Sequence, residues 1–102
     1  MGRHTIVLMQ PTSSKGSRRY MDYESISLAM DGVCHMFEKK LAQDNPSQRN
    51  ITYDAADLFK FIDNIPDISC LVYSQKISAY IPYNRDWVKN NVYSHLKKLA
   101  SQ

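Results

Sequence analysis

His4-Thr5-Ile6-Val7-Leu8-Met9-Gln10 is the stretch that decides this fold. Read as a strand, it places Ile6 and Leu8 on one face and Val7 and Met9 on the other, because successive side chains alternate. Ile68-Ser69-Cys70-Leu71-Val72-Tyr73 behaves the same way, with Ile68, Cys70 and Val72 on one side and Leu71 and Tyr73 on the other. A strand with one wet face alternates apolar with polar residues. These two do not, so both faces of their sheet need a cover. The helices of so short a chain suffice for one face. The other is most simply covered by a second copy, so a homodimer through the open face of the sheet is expected.

Working outward, the 102 residues make one domain spanning 1–102, with little room for a second. A composition of 43% hydrophobic and 23% charged residues is that of a globular chain. No apolar run approaches the roughly 20 residues of a membrane span. Ile6–Met9 is too short for the apolar core of a signal peptide, and Ile6 stands where a myristoylation motif wants Ser or Thr. In that setting Cys34 and Cys70 are expected to be reduced core residues, and the sequon Asn50-Ile51-Thr52 carries no meaning. The formal charge of +3 demands no polyanion partner, and Arg18-Arg19 and Lys97-Lys98 are pairs rather than a patch.

After the first strand, Pro11-Thr12-Ser13-Ser14-Lys15-Gly16-Ser17 reads as a mobile polar loop without a hydrophobic anchor. A short second strand over 18–22 follows, Tyr20 sharing a face with Arg18 and Asp22. The first helix runs over about 25–43, with Ile26, Ala29, Met30, Val33, Met36, Phe37 and Leu41 in one stripe. Gly32 inside it costs about 1 kcal/mol against Ala, which marks a place where something packs closely. The second helix opens at Asp54, an N-cap residue, with Asp57 in its first turn. Ala55, Leu58, Phe59, Phe61, Ile62 and Ile65 form its buried side, and Pro66 stops it. The third strand covers 68–73, Ser74-Gln75-Lys76 turns, and the fourth strand covers 77–81 until Pro82 ends it. Asn84 caps the third helix, whose stripe is Trp87, Val88, Val92, Leu96 and Leu99. The order β-β-α-α-β-β-α gives an α+β fold: a four-stranded, mainly antiparallel sheet with three helices on one face.

A series of words runs along the chain, beginning with His4-Thr5-Ile6-Val7-Leu8, Gln10-Pro11-Thr12, Tyr20 and Asp22-Tyr23-Glu24-Ser25. Gly32-Val33-Cys34, Ile51-Thr52-Tyr53-Asp54, Leu58-Phe59 and Phe61-Ile62-Asp63 continue it. It closes with Ser69-Cys70-Leu71-Val72-Tyr73, Tyr80 and Pro82-Tyr83-Asn84-Arg85-Asp86-Trp87. Together these words resemble the enhancer of rudimentary homolog family. The resemblance implies a non-enzymatic homodimeric adaptor, mostly nuclear, that binds short segments of RNA-processing and transcription-related proteins and needs no cofactor. It puts the dimer face on Ile6 and Leu8; strand alternation adds Tyr20, Leu71, Tyr73 and Tyr80. Two phosphorylation sites of casein-kinase type common in the family are altered. Arg19 occupies the first, and Ser25 is followed three residues on by Leu28 instead of an acid.

Other chemistries fit the sequence less well. Cys34 and His35 are neighbours on a helix, so their side chains point about 100° apart and form no nucleophile–base pair. Cys and His are scattered without metal-ligand spacing, and Asp54, Asp57 and Asp63 do not follow a calcium loop. The rival reading is direct RNA binding, with Tyr20, Tyr73 and Tyr80 stacking bases on the sheet. Against it stand the missing glycine–aromatic pattern, the low charge, and the need for the same aromatics in a dimer. Met30 and Met36 could serve an adaptable partner groove, but their place in the helical stripe reads as helix–sheet packing.

Overall fold

The computed structural model describes residues 3–47 and 53–100, so the sequon at Asn50 lies outside the described residues. Its strands are β1 (Thr5–Gln10), β2 (Arg19–Tyr23), β3 (Asp67–Ser74) and β4 (Ala79–Tyr83). Its helices are α1 (Ile26–Asp44), α2 (Ala55–Asn64) and α3 (Arg85–Ala100), giving the expected β-β-α-α-β-β-α order. The strands form one sheet in the order β2-β1-β3-β4, and every pairing is antiparallel. The two strands that carry apolar residues on both sides are thus the two central strands.

One face of the sheet, carrying Val7, Met9, Ile68, Cys70 and Val72, is buried. Ala29, Met30, Val33 and Phe37 of α1, Leu58 and Ile62 of α2, and Val88 and Val92 of α3 complete the core. Each helix starts where its capping chemistry dictates. Ser25 Oγ accepts from the Leu28 amide at 3.1 Å, so Ser25 is the cap of α1 and not its first residue. Asp54 and Asp57 form a reciprocal capping box on α2. Asn84 Oδ1 accepts from the Trp87 amide at 3.0 Å before α3.

Gly32 does permit a close approach, and the partner is Tyr23. A Cβ at position 32 would stand 2.8 Å from Tyr23 Cε1 and nearer still to the outer ring atoms. The glycine therefore lets α1 settle onto the end of β2.

The structure corrects the sequence reading in several places. β4 begins at Ala79, not Ile77, because residues 75–78 form the turn and Ser78 takes a φ of 51°. Pro82 lies inside β4 and does not end it, since an edge strand can lack one amide donor. Leu99 is exposed, and the buried stripe of α3 continues through His95, whose Nε2 lies 2.5 Å from Asp31 Oδ1 on α1. The loop after β1 is ordered by its own polar groups. Residues Lys15–Ser17 form a 3-10 turn, Ser17 Oγ donates to Ser14 O at 2.7 Å, and Arg18 Nε donates to Gln10 Oε1 at 2.9 Å.

Candidate functional site

The face of the sheet opposite the helices is built from strand parity. Ile6 pairs with Asp22 on one side and Leu71 on the other, and Leu71 pairs with Pro82. Leu8 pairs with Tyr20 and with Ser69. Tyr73 pairs with Tyr80. The register therefore brings Ile6, Leu8, Tyr20, Leu71, Tyr73 and Tyr80 onto one surface, the two positions the resemblance gave and the four that alternation added. Tyr20 is 67% exposed and Tyr80 40%, so their rings lie open within the described chain. Ile6, Leu8, Leu71 and Tyr73 are half-buried.

The sequence reading did not single out His4 as part of this surface. Its Nε2 stands 2.7 Å from Asp22 Oδ1 and its Nδ1 2.6 Å from Tyr80 Oη. Because a carboxylate only accepts, the proton on Nε2 points to Asp22, and in the neutral ring Nδ1 accepts from the Tyr80 hydroxyl. One imidazole thus ties β2 to β4 across the sheet, while the His4 carbonyl accepts from the Tyr73 amide at 2.8 Å. The Tyr80 ring meets Tyr73 edge-on at 5.3 Å and His4 edge-on at 5.8 Å. These contacts fix Tyr80 and turn its ring against its neighbours, a poor starting geometry for stacking a base. Alternation from the first residue of the 4–10 strand puts His4 on the face of Ile6 and Leu8, but a polar residue there adds nothing to an apolar pattern.

The surface has an apolar centre of Ile6, Leu8 and Leu71, with tyrosines and the His4–Asp22 pair around it. Apolar surface contributes about 25 cal/mol per Å² when removed from water, and tyrosine offers both a ring to bury and a hydroxyl to hydrogen-bond. Such a surface is suited to association.

The reactive side chains lie elsewhere and are placed as structural groups. Cys34 is buried and its thiol is pushed up to about 11, first by burial and then by Glu38 and Asp31. Burial pushes the Cys70 thiol up to about 12. At neutral pH neither presents a thiolate, the form that attacks. His35, next to Cys34, is exposed while Cys34 faces the core. The Tyr53 hydroxyl is also raised, by burial first and then by its 2.6 Å hydrogen bond to Glu38. Among the described residues no three His, Cys, Asp or Glu side chains gather into a metal-binding group. No described helix is long and apolar enough to cross a membrane.

Residues 1–102 match the family model described as Enhancer of rudimentary. The Enhancer of rudimentary homolog of Dictyostelium discoideum is 56% identical over 97 residues, covering 95% of this chain and 97% of its own. That of Arabidopsis thaliana is 54% identical over 99 residues, covering 97% and 91%. The Protein enhancer of rudimentary of Drosophila virilis is 47% identical over 97 residues, covering 95% and 93%. With a match along its whole length and relatives this similar, the chain belongs to the enhancer of rudimentary family.

Proposed function

We propose that two copies of this chain join through the open face of the sheet. The dimer is a non-enzymatic adaptor that holds short segments of RNA-processing and transcription-related proteins, acting in nuclear RNA metabolism and gene regulation. The observation that carries the dimer is the apolar centre of Ile6, Leu8 and Leu71, uncovered by any helix and flanked by Tyr20, Tyr73 and Tyr80. Contiguous apolar surface of this kind marks an association site. A two-fold pairing sets the same patch against itself and presents two identical outer surfaces. Two sites on one rigid body raise avidity for partners that are themselves paired. The adaptor role is supported by family membership and by thiols that burial keeps protonated.

Sedimentation of the purified chain tests the dimer. Wild type should run as two copies, and Ile6→Arg with Leu8→Arg should run as a monomer or lose solubility, because burying an unpaired guanidinium is strongly unfavourable. A double mutant that stays a well-behaved dimer rejects the face. A pull-down from nuclear extract with and without nuclease tests the adaptor role: protein partners should survive nuclease. RNA cross-linked to the purified dimer without any protein partner would favour the reading in which the sheet tyrosines bind nucleic acid.

A further inference from the structure

A groove of about 480 Å³ opens on the helical side of the molecule, where the second half of α1 and the end of α2 meet the Met9 end of β1. Its floor is apolar, formed by Met9, Met36, Phe61 and Ile65. Its rim is cationic, formed by Arg19, Lys39 and Lys40. The geometry follows from local rules. Arg19 pairs with Met9, so it projects to the helix-covered side of the sheet. Met36, Lys39, Lys40 and Gln43 follow three-and-four spacing and share one face of α1.

We infer that this groove receives a short acidic peptide segment carrying an apolar anchor, one per protomer. The inference rests on the adaptor reading and names the partner chemistry. Charge argues for the acid. Among the described residues, no Asp or Glu lines the groove. Lys40 meets Asp44 only at 4.0 Å, between exposed side chains. Arg19 and Lys39 form no ion pair with any described residue. Three cations around one opening leave a local positive field that a carboxylate-bearing segment neutralises.

The floor argues for a peptide anchor. Met36 has an unbranched, adaptable side chain, whereas Phe61 is steadied by the Phe37 ring at 5.1 Å. The volume falls within the roughly 300–1,000 Å³ range of small-ligand pockets, room for a few side chains and not a folded domain. A strand of nucleic acid asks for a continuous basic track with stacking rings along it, and here the cations are clustered at one opening. The groove also lies on the opposite side of the sheet from Ile6 and Leu8. Both copies of it therefore stay open in the proposed dimer.

The test is to pan a phage-displayed library of random dodecapeptides against the full chain and measure the enriched peptides by fluorescence polarisation. Enriched peptides should be acidic with a Leu, Met, Phe or Trp anchor, and their affinity should fall with added salt. Arg19→Glu with Lys39→Glu should weaken them by about tenfold, two exposed charge pairs being lost. Exchanging the peptide's acids for Lys should restore binding to that variant, which a merely misfolded groove would not do. Circular dichroism and sedimentation should show its fold and association unchanged. Enriched peptides that are neutral or basic, or that bind the charge-reversed variant like wild type, overturn the groove while leaving the adaptor reading standing. Oligouridylate that binds the groove in place of peptide also overturns it. If no peptide is enriched, the adaptor reading fails and takes this inference with it.

Discussion

Gly32→Ala measures how tightly α1 is seated on β2. In an isolated helix the substitution stabilises by about 1 kcal/mol, because Ala loses less backbone entropy than Gly. Here the new methyl would lie 2.8 Å from Tyr23 Cε1, with the Tyr23 hydroxyl and Cζ closer still. Carbon atoms prefer about 3.5–4.0 Å, so the ring must retreat by on the order of 1 Å. Tyr23 projects to the helix-covered side of the sheet opposite Thr5 and packs against the core. Its phenol pKa is raised, by burial first and by Cys70 second. Displacing such a ring costs about 1–3 kcal/mol. Gly32→Ala should therefore destabilise the chain by about 1 kcal/mol, the overpacking outweighing the helix gain.

In a Tyr23→Ala background the obstacle is gone, and the same substitution should stabilise by up to about 1 kcal/mol. The coupling between the two sites is then about 2 kcal/mol, well above the scatter of additive pairs. Urea unfolding of the four proteins, followed by circular dichroism at one protomer concentration, reads it out. If Gly32→Ala has the same sign and size in both backgrounds, Tyr23 is not what the glycine accommodates.

Asp54→Ala removes the carboxylate that accepts from the Asp57 amide, one half of the α2 capping box, and should cost about 1 kcal/mol in urea unfolding, while Asp54→Asn should retain most of the stability. Cys34 and Cys70 should resist a thiol reagent at pH 8 in the native chain and react promptly in denaturant, since burial raises both above their ordinary 9.0. A raised folded pKa means that the unfolded chain gives up its protons first. The stability from this source is complete below about pH 9 and is lost as pH climbs towards 11 and 12, which thermal melts across that range would record. The melting temperature of wild type should rise with protomer concentration, and that of Ile6→Arg with Leu8→Arg should not, as association stabilises only when it occurs.

Much of the fold was legible because its central strands obey a strict period. Val7 and Met9 had to face away from Ile6 and Leu8, and Tyr20, Leu71, Tyr73 and Tyr80 followed from the same rule. Misreadings fell where a local preference met a tertiary constraint. Ile77 has strand propensity, yet closing the turn so that Ser74 faces Ala79 uses residues 75–78 and leaves Ile77 exposed. His95 occupies the helical position that Val88 and Val92 predict, but a polar residue was passed over there because its partner, Asp31, is 64 positions away in sequence. The groove had no sequence signature. Its residues come from four elements that share no period, and Arg19 looked like half of a basic pair. Met30 and Met36 looked equivalent in the α1 stripe, but only the fold separates them, burying Met30 in the core and leaving Met36 on the groove floor.

The two surfaces proposed for interaction differ in the physics of their contacts, and sheet parity is the cause. On β1, the even positions Ile6 and Leu8 point to the open face and the odd positions Val7 and Met9 to the helices. On β2, Tyr20 continues the open face, while Arg19 goes to the helical side and meets Lys39 and Lys40 at the groove. An extra residue in the loop between these strands that shifted β2 by one would exchange those roles. It would set the Arg19 guanidinium on the open face and turn Tyr20 towards the helices. The Arg18 Nε hydrogen bond to Gln10 Oε1, together with the Ser14–Ser17 turn, holds that loop at its length and so holds the parity. The polar 11–17 segment thereby sets which face of the sheet is apolar and which side of the molecule is charged.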